Sequence, residues 1–178
     1  MTMNIDQEPI SPTRRSNVHF LLASPAHFLA LGLGSGLAPK APGTVGTLWG
    51  WLSWLILHNY LSVIQQGAVI LVATLLGIWA AKLTAQNLGT ADPGCIVWDE
   101  VVAFWFVLWL VMPGSFTSQL AAFILFRFFD AVKPPPVSWA DQLLKGFGWR
   151  GAWGIYLDDF VAAFCTLLTL AAAARVWG

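Results

Sequence analysis

Charge is what this chain has least of. Only 10% of its 178 residues are charged, nine acidic and nine basic, whereas a soluble domain carries about 25%. That shortage excludes an ordinary soluble protein. The formal net charge of zero leaves no basic field to attract nucleic acid, so DNA and RNA binding are excluded as well. Cysteine is nearly absent: Cys95 and Cys165 stand far apart, with no CxxC spacing, so neither a disulfide framework nor a thiolate metal site can be built, and both read as packing residues. The three histidines, His19, His27 and His58, form no pair of metal-ligand or phosphohistidine type, and His27 reads as a buried, hydrogen-bonded side chain. The first eighteen residues contain no apolar run, which excludes a cleavable secretory signal there. Residues 1–18 read as a flexible tail and 19–178 as a single membrane-embedded domain, with no internal repeat or linker.

What the chain has in excess is apolar surface, 57% of its residues. Five apolar runs are candidates to cross hydrocarbon, which takes roughly 20 residues: Leu48 to Ile64, Ala68 to Ala85, Ile96 to Met112, Leu120 to Phe129, and Trp153 to Val176. The fourth reaches bilayer length only if Arg127 snorkels or faces the bundle interior. Before them, Phe20 to Leu37 is broken by Pro25 and three glycines and reads as an interfacial or re-entrant helix. The expectation is an all-α integral membrane bundle of about five spans plus that N-terminal helix. The tryptophans, among them Trp49, Trp54, Trp98, Trp105 and Trp177, read as interface anchors or packing.

Threading the runs alternately across a bilayer puts Arg14, Arg15, Lys40, Lys82, Arg127, Lys133, Lys145 and Arg150 on one side and only Arg175 on the other. Such a split marks the first side as cytoplasmic. The same threading brings four polar motifs to that leaflet, at the cytoplasmic ends of helices. Seven of the nine acidic residues fall between Asp92 and Asp159, including the pairs Asp99-Glu100 and Asp158-Asp159, with Asp130 just before Lys133 and a run of three prolines.

Carboxylates near hydrocarbon are costly and repel one another, and a divalent cation is the simplest remedy. An all-oxygen donor set suits a hard ion, Mg²⁺ above others, because Mg²⁺ binds through a few carboxylates plus substrate phosphate. Opposite the acids stand Lys40, Gly43 and Thr44, in a turn-rich segment opening onto a helix, together with Arg127 and Lys133. These form a candidate phosphate cradle, with Thr44 or Thr47 as the helix cap. Each motif has a simpler reading. Asp158-Asp159 can cap a helix, the lysines can be topology signals meeting headgroups, and Pro42 to Gly46 can be only a turn. The coincidence of acids and bases on one side favours a site.

These residues resemble the phosphatidylglycerophosphatase A family of bacterial membrane lipid phosphatases. The likeness is carried by Gly32-Leu33-Gly34-Ser35-Gly36-Leu37-Ala38-Pro39 with Ala41-Pro42-Gly43-Thr44-Val45-Gly46-Thr47-Leu48. It continues in Ile96-Val97-Trp98-Asp99-Glu100, in Phe126-Arg127-Phe128-Phe129-Asp130 with Lys133-Pro134, and in Trp153-Gly154-Ile155-Tyr156-Leu157-Asp158-Asp159. The resemblance implies a Mg²⁺-dependent enzyme of the bacterial inner membrane, with its site facing the cytoplasm. It would convert phosphatidylglycerophosphate to phosphatidylglycerol and inorganic phosphate, with membrane lipids as further expected partners. Carried over, it implies catalytic and metal roles for Asp99, Glu100, Asp130, Asp158 and Asp159, and phosphate binding by Lys40, Gly43, Thr44, Arg127 and Lys133. Without a Cys-x5-Arg loop, direct attack by a metal-activated water is expected, an aspartyl-phosphate being the alternative. The competing classes are a small ion-coupled transporter or channel, which places ionisable groups near the midplane, and a scaffold docking a partner through its charged face.

Overall fold

Apolar periodicity, prolines and caps set the helix boundaries. The computed structural model describes residues 16–177, so Arg14, Arg15 and most of the expected tail lie outside the described residues. At the edge of that tail the chain is already ordered. The Asn17 side chain accepts from the Phe20 amide and caps α1, Val18–Leu22; α2, Pro25–Ala30, follows with Ser24 as its cap. A tight irregular turn over Gly32–Leu37, with Leu33 and Gly34 at positive φ, completes the segment. The single interfacial helix expected over Phe20 to Leu37 is therefore three short pieces, because Pro25 restarts the helix and the glycines turn the backbone.

The longer helices are α3, Pro42–Tyr60; α4, Val63–Leu88; α5, Trp98–Val111; and α6, Phe116–Val132. A short α7, Val137–Leu143, precedes α8, Gly148–Trp177. All described regular structure is helical. Among the described residues, two helices, α4 and α8, are long and apolar enough to cross a membrane, where five spans were expected. The shortfall has a physical reason in α5. With only 14 residues it is about 21 Å long, short of the roughly 30 Å hydrocarbon core. Val101, Val102, Ala103, Phe104, Val107 and Leu108 have no exposed surface, and α5 packs against α3, α4, α6 and α8. Covered by four neighbouring helices, α5 is the central helix of the bundle.

The approach of α3 to α5 is set by glycine. A Cβ on Gly46 would stand 2.8 Å from Val97 Cβ, and one on Gly50 3.2 Å from the Val101 backbone. The two axes therefore close to a distance that larger residues forbid. On the outside, α3 exposes Leu52 and Ile56, α4 Leu71 and Leu75, α6 Ile124 and Phe128, and α8 Phe164 and Leu168. So much apolar surface on the outer faces of neighbouring helices suits lipid rather than water.

Candidate active site

The five acids enter this apolar bundle from three helices. Asp99 and Glu100 occupy the first turn of α5, where free backbone N–H groups favour negative charge. Asp130 lies in the last turn of α6. Asp158 and Asp159 sit about three turns inside α8 rather than at its start, because α8 begins at Gly148 and not near Trp153. Four of the five acids are buried, and the Glu100 side chain is 13% exposed.

Two ion-paired clusters hold them. In the first, Arg127 Nη1 donates to Glu100 Oε1 at 3.1 Å, to Thr47 Oγ1 at 3.2 Å, and to Asp130 Oδ2 one turn along its own helix. One nitrogen with two N–H groups thus serves three acceptors, while the buried Arg127 Nε has no partner among the described residues. Thr47 in turn donates to the Gly43 carbonyl at 3.0 Å. Gly43 itself lies beneath the Glu100 carboxyl, where a Cβ would be 1.8 Å from Oε1. In the second cluster, Lys133 Nζ donates to Asp158 and Asp141, and Lys145 Nζ donates to the other Asp141 oxygen at 2.7 Å. Lys133 takes this position as the left-handed C-cap of α6, φ 50°, with its N–H on the Phe129 carbonyl at 3.0 Å. Pro134 then prevents the helix from continuing.

The clusters are one electrostatic system. Asp99 feels Glu100, Asp158 and Asp130; Asp159 feels Asp130, Asp99, Glu100 and Asp158. Asp99 Oδ1, Glu100 Oε2 and Asp159 Oδ2 are buried and without hydrogen-bond partners among the described residues. Unpaired carboxylate oxygens are costly in a low-dielectric interior, and a bound cation would relieve that cost. Among the described residues no three acidic, imidazole or thiol groups are gathered into a ready ligand shell. Mg²⁺ would then have to be held by one or two direct carboxylates, with waters and substrate oxygens completing its shell.

Of the expected phosphate-binding group, Gly43, Arg127 and Lys133 meet the acids. Lys40 is exposed and makes no ion pair among the described residues, and Thr44 is half-buried with no side-chain hydrogen bond in the network. Neither Thr44 nor Thr47 caps α3. The cap is Ala41, left-handed at φ 46° with no side-chain bond, because Pro42 starts the helix one turn before those hydroxyls. Sequence reasoning gave Thr47 no role at the site, although it lies four residues from Gly43 and so on the same helix face. Asp141, like Asp92, was a less secure candidate from the sequence, since α7 could not be read within the polar segment 130–150. His27 is buried, its two ring nitrogens meeting the Phe20 carbonyl and the Asn87 side-chain amide.

Removing Arg127 tests the first cluster. Arg127→Gln leaves Glu100 and Asp130 buried without their counter-charge, and the loss expected is about 3 kcal/mol, read by denaturant titration in detergent. The second cluster is pH-sensitive. Burial opposes ionisation of Asp141, but hydrogen bonds from Lys133 and Lys145 outweigh it and hold the carboxyl below the usual carboxylate range. Burial likewise opposes the charge on Lys133, yet its bonds to Asp141 and Asp158 outweigh that and hold it above the usual lysine range. A depressed carboxyl contributes stability in full above its unfolded value, about 3.9, and loses it as pH falls through the lower folded value. Lys133 stays charged throughout that window. Melting temperature should therefore fall on acidification below about pH 4, and Asp141→Asn should flatten that part of the profile.

A helical chain with bilayer-length helices and a buried acidic centre clamped by arginine and lysine has the make-up of a membrane protein with an internal polar site. Its relatives place it among lipid phosphatases. The model of the family Phosphatidylglycerophosphatase A matches residues 28–174, and the chain belongs to that family. A Haemophilus influenzae protein of that name is 39% identical over 149 residues, 84% of this chain and 88% of the relative. The Escherichia coli protein of the same name is 34% identical over 141 residues, 79% and 78% of the two chains. A Bacteroides thetaiotaomicron protein, provisionally described as a phosphatidylinositol-3-phosphatase, is 34% identical over 157 residues, 84% and 94% of the two. No solved structure gives a significant match.

Proposed function

We propose that the chain hydrolyses the terminal phosphomonoester of phosphatidylglycerophosphate to phosphatidylglycerol and inorganic phosphate, with Mg²⁺, at the cytoplasmic face of a bacterial inner membrane. The observation that carries this reading is the set of three buried, unpartnered carboxylate oxygens from α5 and α8, flanked by Arg127 and Lys133. Family membership supports the phosphatase chemistry and the lipid substrate. The excess of cations at the site end supports the cytoplasmic face. The outward apolar faces of α3 and α6 support bilayer contact beyond α4 and α8.

Asp99 and Asp159 would hold the cation, with Glu100, Asp130 and Asp158 ranged around it. When bound, Mg²⁺ polarises the phosphoryl oxygens and makes water a better nucleophile. Arg127, whose Nε is still free to donate, grips one phosphoryl oxygen. Lys133 takes another as it leaves Asp158. A carboxylate of the set accepts the proton of the attacking water. The water oxygen bonds to phosphorus, the bond from phosphorus to the glycerol oxygen breaks, and that oxygen takes up a proton as the lipid alcohol leaves. The acyl chains stay in the bilayer throughout, so only the headgroup has to enter the polar centre.

Phosphate release by the purified protein tests this, with phosphatidylglycerophosphate, phosphatidate and phosphatidylinositol 3-phosphate compared in mixed micelles with Mg²⁺ and with chelator. The expected result is Mg²⁺-dependent turnover, fastest on phosphatidylglycerophosphate and lost in Asp99→Asn and Asp130→Asn. Folded variants working at the parent rate would remove the site assignment. Preference for another of these lipids would remove the substrate.

A further inference from the structure

Tyr156 lies in α8 one turn before Asp159 and is 1% exposed. Its hydroxyl has no hydrogen-bond partner among the described residues. A buried unpaired hydroxyl costs about 1–3 kcal/mol, and phenylalanine would fill the same space without that cost. The hydroxyl points at α4, where a Cβ on Gly77 would stand 2.1 Å from it and 2.4 Å from Trp98 Cδ1. The chain therefore keeps a glycine in mid-helix, itself unfavourable by roughly 1 kcal/mol, where this hydroxyl lies. Trp98 cannot satisfy the hydroxyl, because its one N–H is spent on the Ala73 carbonyl at 3.0 Å. The side-chain charges that act on the hydroxyl are those of Asp99 and Asp159, and each of these acids has a buried oxygen without a partner.

Resting on the function proposed above, we propose that Tyr156 is a positioning residue for the acidic centre. Its hydroxyl donates to Asp99 when the cation is bound and fixes which carboxylate oxygen faces the ion. The Tyr156 hydroxyl and Asp99 Oδ1 are both buried without hydrogen-bond partners among the described residues, which leaves each available to the other. Groups that orient metal-binding carboxylates change metal affinity or activity by about 10–100-fold when removed.

Tyr156→Phe keeps the ring and removes only the oxygen. Two quantities should be measured beside the parent: the Mg²⁺ concentration for half-maximal phosphate release, and the rise in melting temperature that Mg²⁺ produces. The variant should need about tenfold more Mg²⁺, show a smaller Mg²⁺-induced rise, keep its KM for lipid, and melt no lower than the parent without Mg²⁺. Unchanged half-saturation together with an unchanged Mg²⁺-induced rise would overturn the proposal. So would a lower melting temperature without Mg²⁺, which would mean that the hydroxyl supports the fold alone. A parent that releases phosphate with Mg²⁺ beside an unaffected variant removes only the role of Tyr156. A parent with no Mg²⁺-dependent release removes the proposed function and this role together.

Discussion

Gly43→Ala should silence phosphate release while leaving the protein folded. The added methyl would stand 1.8 Å from Glu100 Oε1 and 2.7 Å from Glu100 Cδ, so the carboxyl has to swing away. That motion breaks its bond to Arg127 and moves the guanidinium shared with Asp130 and Thr47. A displacement of about 1 Å in a positioned group costs on the order of a hundredfold in rate, and the whole first cluster moves here. Stability should fall by less than in Arg127→Gln, because the guanidinium is displaced rather than removed and alanine is favoured over glycine in a helix by about 1 kcal/mol. Gly46→Ala is the contrast. Its methyl would meet Val97 Cβ at 2.8 Å and the Val97 carbonyl at 3.2 Å, wedging α3 away from α5 and lowering the melting temperature. Activity and melting curves of the two variants side by side separate a site glycine from a packing glycine.

Asp159→Asn should lose activity and gain stability. Asp159 is 3% exposed, Oδ2 has no partner among the described residues, and four other carboxylates act on it. Among the described residues, Arg127 and Lys133 are the cations paired directly with the five acids. Asparagine keeps the shape and removes one charge from that set, so the variant should be about 1–2 kcal/mol more stable without Mg²⁺, at the cost of function. Turnover should fall by roughly 10²–10⁴ with loss of an acid–base or ligand group, and Mg²⁺ should no longer raise the melting temperature as far. Both effects are read from one preparation by calorimetry and phosphate release. A variant less stable than the parent in Mg²⁺-free buffer would mean that Asp159 is held by partners rather than waiting for one.

The sequence exposed the chemistry of this protein better than its architecture. Carboxylates are so out of place in an apolar chain that Asp99-Glu100, Asp130 and Asp158-Asp159 stood out by type alone, and the structure sets them within electrostatic reach of one another from α5, α6 and α8, with no three gathered into a ligand shell among the described residues. Burial of α5 was not legible, because a helix surrounded by protein and a helix surrounded by lipid are apolar on the same faces. The early start of α8 was hidden by Gly148 to Gly151, which read as loop. α7 was hidden for the same reason among the prolines and polar residues before it. Pairing was also invisible. Residue types suggested a basic cradle facing an acidic cluster, whereas Arg127 and Lys133 each hold carboxylates directly, and Lys40 stays outside. Which base meets which acid depends on how far each helix slides along its neighbour, and that is set by contacts such as Gly77 against Tyr156 and Gly43 against Glu100.

Replacing Mg²⁺ by Mn²⁺ in crystals of the full chain and locating the metal by its anomalous scattering is the most direct test of a single cation-centred site. An anomalous peak about 2.0–2.2 Å from oxygens of Asp99 and Asp159, beside the Arg127 guanidinium, is the result expected from hard-ion coordination. A peak confined to the neighbouring cavity lined by Asp92, Asp141, Lys145 and Asp158, away from Asp99 and Asp159, or no peak at saturating Mn²⁺, would contradict it.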